Sequence, residues 1–415
     1  MKALFCTAIA PLFAGWALLS GTPPAAAVEW HGLLDMRALH TDAERSWTDA
    51  GLGKLRHDKQ SSGLRLGQAF LSAQADLLSN TITGRLVLSA ADDRAGALDV
   101  NEAWLLWSPL PSSAWKTRVK LGAFFPASSL ELDYDSIGWT PSRTVSSSAV
   151  NSWIGEELRT QGAELTLTHK GRQSNSLHDF GLTLAVFGGN DPAGTLMGWR
   201  GWSISDRVSG LTEGLLLADL PVYRPSGEIP KQNRSVHLFR ELDGRAGYYL
   251  GGQYAYTEQV ELSALHYDNR GDPLVEKNGQ YAWHTRFDHI GLRLRPAGEW
   301  ELAAQLMSGE TLMGPQAVRL SFKAGYLLAS HPFAQGHLSL RYDRFRAREN
   351  DILPSDPNHE DGRALALAYA LPLRQGWSLL GEWLVVKSTR PARRLTGNAP
   401  AQTERSLTAS LRWQF

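Results

Sequence analysis

The residues that could break bonds lie scattered without a pattern. Twelve His and many Ser and Asp supply parts for a Ser–His–Asp relay, but chance alone assembles such triples in a chain of 415 residues. No His-Glu-x-x-His and no Gly-x-Ser-x-Gly occurs, so neither a zinc protease helix nor a nucleophile elbow is present. His284 and His289 flank four residues, and on a strand a five-residue step puts them on opposite faces. Asp268-Asn269-Arg270-Gly271-Asp272 has the composition of a weak calcium loop and equally of an ordinary turn. No catalytic residue, metal site or cofactor is expected. The charges that remain suit a different task, sorting solutes by size and sign across a narrow passage. An acidic trio, Glu131, Asp133 and Asp135, lies in one long connection. A basic series, Lys116, Arg118 and Lys120, lies on the segment just before it.

Such charges need a frame. The sequence alternates with period two in segments of roughly ten residues, the length a tilted strand needs to cross a membrane. In Trp115–Phe125, the residues Trp115, Thr117, Val119, Leu121, Ala123 and Phe125 share one face, opposite Lys116, Arg118, Lys120, Gly122 and Phe124. The final segment sets Leu407, Ala409, Leu411, Trp413 and Phe415 against Ser406, Thr408, Ser410, Arg412 and Gln414. Similar runs are Val318-Leu320-Phe322-Ala324-Tyr326-Leu328 and Leu365-Leu367-Tyr369-Leu371.

An apolar face can meet a second sheet, a small filled barrel or hydrocarbon. Aromatics at segment ends (Trp30, Trp104, Trp107, Trp115, Trp300, Trp377, Trp413) and a charged, Gly-rich second face favour hydrocarbon outside and water within. Sixteen segments result: 28–38, 63–77, 81–91, 99–108, 114–125, 159–169, 178–188, 245–257, 259–268, 283–295, 299–308, 318–330, 337–346, 362–372, 377–388 and 404–415. The expected fold is all-β: a 16-stranded antiparallel transmembrane β-barrel, closed because lipid tolerates no open edge. An even number puts both termini on the periplasmic side. Short turns fall at Ser79-Asn80, Pro109–Ser113, Lys170–Leu177, Pro296–Gly298, His331–Gly336 and Leu373–Gly376. Long polar connections fall at 39–62, 126–158, 189–244, 347–361 and 389–403. Leu211–Ala218 could be a further strand but would make the count odd, so it is assigned to a loop.

Composition agrees. Lys+Arg and Asp+Glu both number 42, so no basic excess marks a nucleic-acid partner. The 43% hydrophobic content is too high for disorder. Residues 1–27 read as a cleaved signal peptide: Lys2, an apolar stretch interrupted by Pro11, then Ala25-Ala26-Ala27. Residues 28–415 form the barrel domain. Cys6 is the one cysteine, so the exported chain has no disulfide and no thiolate.

The connection 126–158 follows strand five. A loop this long needs a reason, and folding into the lumen as a constriction supplies one, the reading its position favours over an outward loop packed on neighbouring loops. Glu131, Asp133 and Asp135 would then face Lys116, Arg118, Lys120 and their neighbours. The register places Arg65, Arg85, Lys116, Arg118, Lys120, Arg293, Arg319, Lys323, Arg341 and Arg412 inward, with fewer acids, Asp35, Asp76, Glu261, Glu301 and Glu382. A modest anion preference follows, unless internal pairs merely brace the wall.

Sixteen strands, an internal loop after strand five and a terminal Phe resemble the trimeric Gram-negative porins. Leu121-Gly122-Ala123-Phe124-Phe125-Pro126, followed by Leu130-Glu131, is similar to the strand-to-loop segment of the phosphate-selective porin O/P family. The resemblance implies passive diffusion of small solutes and a homotrimer in outer-membrane lipid and lipopolysaccharide. It also implies that Leu411, Trp413 and Phe415 are read by the barrel assembly machinery. No regular arginine ladder is present, so phosphate is not the expected substrate. Two other classes remain: a plugged receptor, which needs about 22 strands and a plug ahead of a first strand that here is expected to start almost directly after the cleavage site, and a non-conducting adhesin, structural barrel or surface hydrolase. Gly198-Trp199-Arg200-Gly201-Trp202 offers the adhesin a carbohydrate-stacking surface, or else packs over the barrel mouth.

Overall fold

The computed structural model describes residues 27–78, 81–94, 96, 98–132 and 137–415. The signal peptide through residue 26, the Ser79-Asn80 turn, Asp133 and Asp135 lie outside them. Among the described residues, sixteen antiparallel strands close into one barrel. They are β1 Val28–Thr41, β2 Gly63–Leu78, β3 Ile82–Ala90, β4 Asp99–Trp107, β5 Trp115–Phe124, β6 Thr160–His169, β7 His178–Gly188 and β8 Gly247–Tyr256. The second half continues with β9 Val260–Asp268, β10 His284–Leu294, β11 Glu301–Met313, β12 Val318–Phe333, β13 Gly336–Glu349, β14 Glu360–Pro372, β15 Trp377–Thr389 and β16 Ala401–Gln414. The expected segments therefore all form wall strands. β1 closes on β16, with Asp35 opposite Arg412. The ring is finished by Phe415, whose carbonyl accepts the Gly32 N–H at 2.9 Å. Leu215–Leu216 pairs with Ser235–Val236 away from the wall, so the doubtful segment is indeed loop.

Outward positions carry exposed apolar side chains around the ring, among them Leu121, Leu184, Leu250, Ile290, Leu306, Leu327, Leu367 and Leu411. Trp30, Trp107, Trp115, Trp300 and Trp377 ring the short-turn end, the place of an interfacial girdle. Trp104 does not join them. It faces inward, opposite Arg85 on β3.

The interior is filled at the long-loop end. The connection between β5 and β6 folds inward and carries α1, Ala149–Glu157, every residue of which is buried. Ser148 caps it by accepting the Asn151 N–H. Trp153 packs against Phe287 on β10, Phe322 on β12 and Trp202, at ring separations of 5.4, 5.1 and 6.1 Å. A second short helix, α2 (Thr195–Trp199), is equally buried. This packing reverses the expected direction of β12. Val318, Leu320, Phe322, Ala324, Tyr326 and Leu328 face inward and are buried, while Arg319 and Lys323 face outward. Period two fixes which residues share a face, and here the oilier face meets the folded loops rather than lipid.

Candidate functional site: the lumen and its inward loop

β5 is one wall of the passage. It reaches β4 so closely at Gly122 that a Cβ there would stand 2.2 Å from the Ala103 carbonyl oxygen. Gly122 has φ +137°, a conformation that favours glycine. Arg118 and Lys120 point inward with Arg85 and Trp104, and with Glu164 of β6 they line a vestibule of about 800 Å³ open toward the short-turn end. Lys120 pairs with Glu164 at 3.3 Å. Its ammonium also sits 4.8 Å from the Phe124 ring and 5.7 Å from Trp104, with the Arg85 guanidinium 5.8 Å from Trp104. Lys116 shares their face and is exposed near the rim.

The opposite wall holds the loop. Glu131 is buried and meets Arg341 of β13 at 3.0 Å, not the β5 lysines. Its carboxylate also accepts the Ser148 N–H at 2.9 Å and the Asn151 side-chain amide at 2.5 Å. Arg341 in turn holds Asp343 at 2.9 Å, and Asp343 accepts the Ala149 N–H at the start of α1. Glu382 of β15 accepts the N–H groups of Val145 and Ser146. Arg143 binds Glu301 at 3.0 Å, and Gln305 bonds both Leu130 and Ser128. The expected face-off of acidic loop and basic β5 wall therefore splits. Glu131 serves as an anchor, and four of the six expected basic residues, Lys116, Arg118, Lys120 and Arg341, face inward. Arg319 and Lys323 lie on the outer surface because β12 turns its apolar side inward.

A chain of alternating charges, drawn from five segments, was not legible beforehand. It runs Arg412–Asp35–Arg37–Asp206–Arg56–Asp93–Arg207–Glu213–Arg94, with Arg412–Asp35 at 3.1 Å, Arg37–Asp206 at 2.5 Å, Arg56–Asp93 at 2.6 Å and Arg207–Asp93 at 2.9 Å. Burial pushes the Asp206 carboxyl up, but Arg37 and Arg56 beside it more than offset this and hold it well below the usual carboxylate range. The chain ties connection 189–244 to the barrel wall. Behind it, residues 144–160 and 189–210 are buried without exception. Arg159 closes the floor, its guanidinium 3.5 Å from the Phe125 ring, and burial lowers it to about 9.

The remaining candidates resolve simply. His284 faces outward to Asp268 at 3.0 Å, while His289 is buried beside Gln305. Asp268 accepts the Arg270 N–H, an ordinary turn. Trp199 and Trp202 are buried, so they offer no stacking surface. Asp191, Glu241 and Asp243 bring carboxylate oxygens within 4.8 Å of one another. Those oxygens already accept backbone N–H groups from Leu242, Gly189 and Arg245, the pattern of a turn-capping set.

The closed sixteen-stranded ring with an inward loop after β5 is the outer-membrane porin fold. No family model matches the chain, and no curated protein sequence matches it. Solved structures do. The outer membrane channel DcaP of Acinetobacter baumannii superposes with a TM-score of 0.55 at 9% identity, over 96% of this chain and 100% of that one. An anion-selective porin from Comamonas acidovorans gives 0.51 at 14% identity, over 94% and 100%. OmpT, an outer membrane protein of Vibrio cholerae in its trimer form, gives 0.52 at 9% identity, over 94% and 100%. Identities this low establish the shared fold alone.

Proposed function

We propose that this chain is an outer-membrane porin, a narrow passive channel for small hydrophilic solutes and ions with a modest preference for anions. The observation that carries the reading is the inward basic vestibule: among the described residues that line it, Arg85, Arg118 and Lys120 stand with one neighbouring acid, Glu164, in a ring whose outside is apolar. Cations held at close quarters lower the entry barrier for anions. The channel breaks no bond and needs no cofactor. Residues 1–27 direct export and are removed, and both termini face the periplasm. Phe415, its ring tilted against Trp413 at 4.7 Å, displays the C-terminal strand to the assembly machinery. The barrel works as a homotrimer in lipopolysaccharide-containing membrane, packing the apolar outer face of its first strands (Leu34, Met36, Ala69, Leu71). The likeness to the phosphate-selective porins is local, covering Leu121–Pro126 and Leu130-Glu131, and without a regular arginine ladder phosphate is not the solute.

One observation favours a second reading, a barrel that does not conduct at rest. The complete burial of residues 144–160 and 189–210 fills the long-loop half. Planar-bilayer recording decides between them. Steady small conductance, with a reversal potential of anion-selective sign in a salt gradient, supports the channel. Electrical silence supports the filled barrel, and clear cation selectivity defeats the charge argument.

A further inference from the structure

The outer surface of β12–β15 departs from the apolar belt. Across these strands the register aligns Leu327, Tyr342, Leu365 and Val385 as the last apolar row before the long-loop end. The next outward row is Gly325, Arg344, Arg363 and Lys387, and the one beyond it is Lys323, Arg346, Asp361 and Thr389. Like charges thus stand directly opposite at Lys323–Arg346, Arg344–Arg363 and Arg363–Lys387, an arrangement that destabilises a sheet on its own. Asp361 meets Arg344 at 2.8 Å. Among the described residues Lys323, Arg346, Arg363 and Lys387 are exposed and have no carboxylate within 4 Å. Two outward depressions flank Arg344. One, of about 930 Å³, has an apolar floor that includes Ile290, Leu306 and Leu327 and a rim of Lys323, Arg344 and Arg346, with the single carboxylate among its described lining residues, Asp288, on its far side beside His266 at 2.8 Å. The other, of about 460 Å³, is edged by Arg363 and Lys387. From Lys323 to Lys387 is three strand spacings across and two residues along, about 16 Å.

We propose that this face binds a phosphate-bearing glycolipid of the outer leaflet, an acyl chain lying in the apolar depression and the phosphates on the basic rows. The proposal rests on the outer-membrane reading above, which puts the long-loop end at the external surface. Charge selects the occupant: a second copy presenting this face would be repelled, whereas phosphates neutralise the opposed cations. An acyl chain accounts for the apolar floor, which a free anion does not.

The test uses the full barrel refolded in detergent, with native mass spectrometry of bound lipid. The probes are diphosphoryl lipid A, its dephosphorylated form and inorganic phosphate. Wild-type protein is expected to hold diphosphoryl lipid A about 10- to 100-fold more tightly than the R346Q/R363Q/K387Q variant, given about a tenfold or smaller gain per surface cation. Dephosphorylated lipid should bind both equally weakly, and millimolar phosphate should not bind. The variant removes repulsion and faces away from the lumen, so it should fold and conduct as wild type does. Equal retention by both proteins, equal binding of dephosphorylated lipid, comparable binding of free phosphate, or copy-to-copy association that needs these residues would each overturn the proposal. A barrel that inserts into vesicles and conducts but shows no lipid preference defeats this inference alone. A chain that stays soluble and fails to insert defeats the outer-membrane reading with it.

Discussion

At the scale of single residues the interior is organised by charges that have left water. Asp206 meets Arg37 at 2.5 Å and Arg56 at 3.4 Å, and all three are buried. Removing one partner of such a set leaves the others uncompensated, typically at a cost of about 3–5 kcal/mol. Asp206→Asn is therefore expected to lower the unfolding free energy of the refolded barrel by that order, and with it the urea midpoint, and to raise single-channel conductance as connection 189–244 loosens. An unchanged midpoint would show that the charge chain does not hold this connection against the wall. The pH dependence has a definite sign. A carboxyl held below its unfolded value near 4 contributes stability that is fully present above that value and lost as pH falls through the folded one. The Asp206 contribution should thus be constant from pH 7 to pH 5 and disappear only well below pH 4. Comparing wild type with Asp206→Asn across this range isolates it: the gap in midpoint stays level above pH 5 and closes in strong acid.

At the scale of elements, the wall was legible and its contents were not. Alternation with period two located all sixteen strands, because a strand between two unlike media must carry two unlike faces. The same rule cannot say which medium lies on which side. It succeeded for β16, where Leu407, Leu411 and Trp413 face outward, and failed for β12, where Phe322 and Tyr326 point in beneath α1. Where a loop folds into a barrel, the interior becomes a core and its lining reads like a lipid face. The inward path of the β5–β6 connection was legible mainly from its position after the fifth strand, with its length calling for a reason. Its partners Arg341, Asp343 and Glu382 were not, since contacts 200 residues apart leave no local trace. Gly122 tests how tightly the wall is drawn beside that loop. Ala in its place would press on the β4 backbone in a left-handed conformation, costing at least about 1–3 kcal/mol. Gly381, with nothing within 4 Å of its Cβ position, supplies the control. Gly122→Ala should lower the unfolding midpoint and Gly381→Ala should not. Equal effects would remove the close approach as an explanation.

At the scale of the whole molecule, the two walls of the passage do different work. The β10–β15 wall is committed to holding the loop, with Arg341 buried between Glu131 and Asp343. Charge selection then falls to the β3–β6 wall, where Arg85, Arg118 and Lys120 reach the vestibule against Glu164. A unit charge about 7 Å from a passing ion in water contributes about 0.6 kcal/mol, or roughly a threefold bias per group. Three cations and one acid give a net bias of about one order of magnitude at most, and screening limits it further. At 0.1 M salt the Debye length of about 10 Å lets the wall act across the passage, whereas at 1 M it shrinks to about 3 Å. Anion preference should therefore be measurable from reversal potentials near 0.1 M and fade toward 1 M. Neutralising the wall with R85Q/R118Q/K120Q should abolish or invert it at low salt, because it removes the three cations among the described residues that line the vestibule and leaves Glu164. Neutralising Arg319, which faces outward beside Glu310 at 3.6 Å, should leave it unchanged. If the order is reversed, so that Arg319 governs selectivity and the vestibule triple does not, ions take another route and the basic wall of β3–β6 is not the filter.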